Sequence, residues 1–176
     1  TTFIEITERI QAENLLKQTK DKFDLITKSS NDIIAFYTFS PKEQYTYISP
    51  NIKTILGYEP EELLKEFNFF NKRVIGNKEE FLKVDKLLKS DQKKNIKRHH
   101  YYTYKTLKKN KEEIWLENNL TPITNANGKI SFFLNIIRDI TIQKEKEIEL
   151  QLQHLNYRNL LDSSPIAYII HKQGVT

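Results

Sequence analysis

The stretch Ser131-Phe-Phe-Leu-Asn-Ile-Ile-Arg-Asp-Ile-Thr141, continued by Ile142-Gln-Lys-Glu-Lys-Glu-Ile-Glu-Leu150, decides how the rest of the chain reads. Its first half is apolar and β-branched without Pro or Gly, which predicts a strand buried on at least one face. At Arg138-Asp139 the apolar run stops, and Thr141 opens a stretch of Glu, Lys, Gln and Leu. That is helix-former composition headed by a residue able to cap it. A core strand is thus expected to pass straight into a solvated helix.

The same pattern opens the chain, where Phe3-Ile-Glu-Ile-Thr7 leads into Glu8-Arg-Ile-Gln-Ala-Glu-Asn-Leu-Leu. An offset of 134 residues places Ile6 on Ile140, Thr7 on Thr141, Phe23 on Tyr157, and Ser29-Ser30 on Ser163-Ser164. Self-similarity at a fixed period is the sign of a tandem array. The expected order is the end of a preceding module at 1–7, a linker helix at 8–27, a full domain at 28–142, a second linker helix at 143–162, and the start of a further module at 163–176.

Working inward, Ala12, Leu16, Thr19, Phe23 and Ile26 draw a coiled-coil-like stripe on the first helix. That spacing suits either packing on its own domain or a parallel dimer. After the Ser29-Ser-Asn-Asp32 break, residues 33–39 and 45–49 predict two strands joined through Ser40-Pro-Lys-Glu-Gln. Ser49 is placed to cap a helix starting at Pro50 and ending at Gly57. Pro60-Glu61-Glu62 starts another helix, and residues 79–90 make an amphipathic one with Phe81, Val84, Leu87 and Leu88 on one face. Residues 95–108, 113–123 and 131–139 follow as a three-strand meander, its last turn at Asn127-Gly128. The expected fold class is α+β, a five-stranded antiparallel sheet with short helices on one face, flanked by N- and C-terminal linker helices.

Composition closes off several chemistries. With no Cys and no Met among 176 residues, disulfides, thiolate metal sites and cysteine nucleophiles are excluded. No apolar run approaches the roughly 18 residues of a membrane span, so no direct membrane contact is expected from this segment. The net charge of +5 gathers in the Lys-rich residues 86–97 and 105–111. No nucleic-acid motif accompanies it, and a solvated surface is the simpler reading. His99 and His100 are adjacent, so on a strand they point to opposite faces and cannot jointly chelate a metal. No Ser stands in an elbow motif, and Glu61-Glu62 and Glu79-Glu80 fall in helix first turns, where the helix dipole accounts for them. No catalytic residue is assigned.

The words Tyr47-Ile-Ser-Pro-Asn51, Ile55-Leu-Gly-Tyr58 with Glu61-Glu-Leu63, Trp115 and Arg138-Asp-Ile-Thr141 stand where a PAS domain carries its own. The chain resembles that family over about residues 20–142. The usual Asp-Gly turn is replaced by Asn110-Lys111, and the usual His-Pro-Asp stretch by Ile75-Gly-Asn-Lys78. The resemblance implies a cytoplasmic sensory or relay module; the helix stripe and the 134-residue offset add the expectation of a homodimer and of neighbouring PAS modules in the same chain. Its expected output is a kinase domain in the same chain, making the parent a sensor histidine kinase. The alternative is a ligand-binding sensor of a diguanylate cyclase or transcription regulator.

In that family ligands bind between sheet and helices, which nominates Ile34, Phe36, Ile48, Phe81, Tyr102 and Leu134 as pocket residues. Aromatic residues that simply fill the core are the plainer account of the same positions. The resemblance also makes Asp139, Ile140 and Thr141 the junction that carries a signal out. No cofactor is expected, because a flavin adduct needs a Cys and haem-binding relatives place a His on the helix at 79–90; an unidentified small ligand stays open.

Overall fold

The computed structural model describes residues 2–39, 42–66 and 69–163, with the side chains of 2–6 and 24 left aside. The start of a further module expected at 163–176 falls outside the described residues from 164 onward, as do Ser40 and Pro41 of the first hairpin turn. The chain divides into two compact units, the first ending at Ile140 and the second beginning at Thr141.

In the first unit, helix α1 (Thr2–Ser29) leads to strands β1 (Ile33–Thr38) and β2 (Gln44–Ile48). Short helices α2 (Asn51–Leu56) and α3 (Pro60–Lys65) follow, then β3 (Val74–Gly76) and the long helix α4 (Lys78–Lys94). The meander is β4 (His100–Leu107), β5 (Glu113–Thr124) and β6 (Ile130–Asp139). Six strands join in the order β2-β1-β6-β5-β4-β3, and each neighbouring pair is antiparallel. The described part of the second unit is helix α5 (Thr141–Ser163).

Several expectations change in the structure. The sheet has six strands rather than five, because Val74–Gly76 pairs with the outer edge of β4. Three residues interrupted by a Gly carry too little pattern to be read as a strand. Residues 3–7 lie within α1 instead of ending a strand. Ser49 does not cap α2: its hydroxyl accepts from the Ile34 backbone N–H at 2.9 Å, and its own N–H donates to the Ile34 carbonyl at 2.8 Å. The β1–β2 pairing thus claims the side chain that local sequence offers to the helix. At the turn 108–112 the left-handed residue is Lys111 (φ 70°), while the Asn110 carboxamide oxygen accepts from the Glu112 N–H at 3.0 Å.

Strand alternation sets the core. Ile33 and Ala35 on β1, Tyr102 and Tyr104 on β4, Ile114, Leu116 and Leu120 on β5, and Phe133 and Ile137 on β6 all point inward and are buried. They meet Ile52 and Leu56 of α2, Leu63 of α3, and Phe81, Val84 and Leu88 of α4. The last turns of α1 sit against the opposite sheet face, where the Phe23 ring lies 6.0 Å from Phe36 and 5.2 Å from Tyr47.

The end of α1 is clasped by polar bonds. The Asn51 amide nitrogen donates to the carbonyls of Thr27 (2.7 Å), Ser30 (2.5 Å) and Asp32 (3.2 Å). The Tyr47 hydroxyl donates to Thr27 Oγ1 at 3.2 Å. Arg138, at the end of β6, reaches back with Nε at 2.9 Å and Nη2 at 2.8 Å from the two oxygens of Asp32. The segment that enters the sheet and the strand that leaves it are therefore tied by a two-pronged ion pair.

Candidate ligand cavity and signal junction

A cavity of about 280 Å³ lies between the inner sheet face and the α3–α4 side of the domain. Phe81, Asp85 and Leu88 reach it from α4, Tyr37 and Tyr45 from the first hairpin, Tyr102 from β4, Leu120 from β5 and Asn135 from β6. Phe69 and Phe70 complete the wall after α3. Helical spacing of 81, 85 and 88 puts the α4 residues on one stripe, and strand alternation aims Tyr102, Leu120 and Asn135 the same way. Aromatic rings meet edge to face around it: Phe81 lies 5.7 Å from Tyr102, and Phe69 lies 5.3 Å from Phe70.

The carboxylates at the rim are paired, and two exposed lysines, Lys42 and Lys65, stand beside them. Lys89 Nζ lies 3.2 Å from Glu43 Oε1 and 3.0 Å from Asp85 Oδ2. The Tyr37 hydroxyl donates to Glu43. Glu66 meets Lys72 at 2.9 Å and Arg73 at 3.0 Å, and those hydrogen bonds hold its carboxyl below the usual range. The Arg73 guanidinium in turn lies 3.8 Å above the Phe69 ring.

Inside, the polar groups are phenols and amides. Burial pushes the hydroxyls of Tyr45, Tyr102 and Tyr104 far above their ordinary value of 10.0; a hydrogen bond from Asn135 only partly offsets the rise at Tyr45. All three stay neutral donors throughout the ordinary pH range. The Asn118 amide donates to the Tyr102 hydroxyl at 2.8 Å. Asn135 is 1% exposed, and its carboxamide oxygen has no hydrogen-bond partner.

Of the pocket residues nominated from sequence, Phe81 and Tyr102 line the cavity. Ile48 is buried in the core but stands outside the lining. Ile34, Phe36 and Leu134 are half-buried on the opposite sheet face, with Phe36 paired to Leu134 in the β1–β6 register. Strand alternation has a period of two, so choosing even positions on β1 and β6 selects the wrong face. Sequence reasoning missed Asn135, although a signal was present: it is the single polar residue in the apolar run 132–137.

Asp139 ends β6 opposite Leu116, and Ile140 is buried with its N–H donating to the Trp115 carbonyl at 3.0 Å. Thr141 begins α5. Strand and helix are thus separated by one residue, itself pinned to β5. The two histidines face apart: His100 is buried with Nε2 2.8 Å from Asp91 Oδ2, whereas His99 is exposed beside Thr121. Among the described residues no cluster of metal-ligating side chains forms, and no helix is long and apolar enough to cross a membrane.

A profile of the PAS domain family matches residues 31–141. The chain belongs to the PAS domain family. No curated protein matches it. Among solved structures, it is similar to the N-terminal domain of a diguanylate cyclase with PAS/PAC sensor from Marinobacter aquaeolei, at 17% identity and TM-score 0.53, covering 64% of this chain and 98% of that one. A sensory box histidine kinase/response regulator from Burkholderia thailandensis matches at 20% identity and TM-score 0.57, over 78% of this chain and 98% of that one. An RNA-binding light-oxygen-voltage receptor matches at 15% identity and TM-score 0.62, over 77% of this chain and 37% of that one. At such identities these likenesses speak for the PAS fold.

Proposed function

We propose that this PAS domain senses a small molecule in the cavity and relays its presence through β6 into α5. The observation that carries this reading is the position of Asn135, which lines the cavity four residues before Asp139 on the strand that becomes the outgoing helix. An occupant touching Asn135 acts directly on β6, and Ile140, held by Trp115, leaves little slack before Thr141. The output is a domain further along the same chain, with a histidine kinase as the first expectation and a diguanylate cyclase as the alternative. Sensor proteins of both kinds occur among the structural neighbours, which suits either output.

Cavity size supports the absence of a flavin or haem. An apolar cavity of roughly 150 Å³ holds benzene, so about 280 Å³ holds roughly a dozen non-hydrogen atoms. Purified protein is expected to show no visible absorption band, and a haem or flavin spectrum would overturn this part. For the relay, Asp139→Ala in the full-length protein is expected to leave the domain folded while abolishing regulated output. Regulated output that persists unchanged would reduce the junction to a structural role.

A second reading, self-association through α1, is favoured by the exposure of Ile10, Leu15, Leu16, Leu25 and Ile26 on that helix. Phe23 of the sequence stripe is engaged with Phe36 and Tyr47, so Leu16 and Ile26 are left to form a seam. Sedimentation at high micromolar concentration is expected to show a dimer that weakens when residues 1–20 are removed. A monomer would exclude it.

A further inference from the structure

The cavity walls specify more than a volume, and the following rests on the proposal that the cavity is a ligand site. The carboxylates at its rim are satisfied by protein groups: Glu43 and Asp85 share Lys89, and Glu66 is held by Lys72 and Arg73. Lys42 and Lys65 also line the cavity but are exposed at its mouth; the wall beyond the rim is built of aromatic rings, aliphatic side chains, neutral phenols and Asn135. An ion placed there loses its hydration with no buried counter-charge to replace it. Apolar and aromatic surface recovers hydrophobic and ring-packing energy against Phe69, Phe81 and Tyr102.

Among the described residues, one buried polar atom of this wall is unsatisfied. Native structures pair nearly all buried polar atoms, and an exception calls for a cause such as a missing occupant. The Asn135 carboxamide oxygen is such an exception: buried, without a partner, on a residue of the cavity wall. It is an acceptor with two lone pairs, so what it lacks is a donor. Gln92 Oε1, Asn118 Oδ1 and the Tyr104 hydroxyl also lack partners, but none of these three residues is part of the wall.

We infer that the ligand is a neutral, mainly aromatic molecule of about a dozen non-hydrogen atoms bearing one hydroxyl or N–H that donates to Oδ1 of Asn135. Carboxylates and ammonium groups are rejected from the uncharged inner wall, which the exposed Lys42 and Lys65 at the mouth do not reach into. An apolar molecule of equal shape fits but leaves Asn135 unsatisfied. Selectivity therefore lies in one hydrogen bond, while most of the affinity comes from ring burial.

Matched probes separate these contributions. 2-Naphthol and 2-methylnaphthalene have about the same shape and roughly eleven non-hydrogen atoms each, within the estimated capacity; they differ in the donor. 2-Naphthoate adds the charge. Titration of the 176-residue chain by NMR, following the Asn135 side-chain amide, is expected to show 2-naphthol binding about 10-fold more tightly than 2-methylnaphthalene. Naphthoate is expected not to bind. Asn135→Leu is expected to erase the preference; should that variant fail to fold, the wild-type comparison still decides. Equal binding of naphthol and methylnaphthalene would overturn the donor assignment and leave the cavity as a ligand site. Tighter binding of naphthoate would overturn neutrality. Absence of binding by all three would overturn both this inference and the sensing proposal.

Discussion

Replacing Asn51 by Ala removes the amide that joins the end of α1 to the sheet. Its nitrogen has two hydrogens directed at three carbonyls, those of Thr27, Ser30 and Asp32, so about two full hydrogen bonds are lost. A typical internal hydrogen bond contributes about 1 kcal/mol net, giving a loss of roughly 2 kcal/mol. Position 51 is the first residue of α2, where Ala is the better helix former and returns about 0.5 kcal/mol. The expected destabilisation is therefore about 1.5 kcal/mol, or roughly 6–10 °C in melting temperature for a domain of this size. Urea melts followed through Trp115, the only tryptophan, measure it. Hydrogen exchange supplies the local readout, because the Ser30 N–H that bonds the Ile26 carbonyl should exchange faster. Asn119, exposed on β5, serves as the control, and Asn119→Ala should stay within about 0.5 kcal/mol of wild type. A change below about 0.5 kcal/mol for Asn51→Ala, or a loss with unaltered exchange at residues 26–30, would refute the clasp.

Other outcomes follow from the same structure. A double-mutant cycle on Asp32→Ala and Arg138→Ala should yield a coupling of about 1 kcal/mol or less that shrinks with salt, because Arg138 is largely exposed; a salt-independent coupling above about 2 kcal/mol would contradict this. Gly57→Ala should cost about 1–2 kcal/mol, since Gly57 closes α2 at φ 80° and an added Cβ would meet Lys109 Cβ at 3.2 Å. Tyr45, Tyr102 and Tyr104 are raised above 10.0 chiefly by burial. The folded chain keeps protons that the unfolded chain sheds, so their contribution is complete below about pH 10 and is lost as pH climbs beyond it. Melting temperature should therefore fall above pH 10, with the phenolate absorbance of these residues appearing only on unfolding; their ionisation in the folded state would disprove the burial account.

Legibility in the sequence followed the range of the forces involved. The strand 131–139, the meander and the helices at 60 and 79 were readable because alternation and helical spacing repeat over many residues. The family words were readable as well, but their purposes were not. Tyr47 and Asn51 look like a strand end and a helix start, yet they hold the end of α1 against the sheet through bonds spanning some twenty residues. Ser49 shows the conflict most plainly, since a capping residue by local rule became part of the β1–β2 pairing.

The sequence by itself determined the fold class, the run of strand into helix at 139–141, and the lack of any thiol chemistry, because these depend on residue type and short-range periodicity. Only the tertiary structure decided which face of β1 and β6 meets α4, and with it which residues form the cavity. A strand's alternation separates its residues into two sets but does not say which set is covered, and here both sets are apolar. Ile34, Phe36 and Leu134 lie on the face that meets Phe23, while Asn135 lies inward with its oxygen unsatisfied. That choice is made by the layers packed on the sheet, through contacts between residues far apart in the chain.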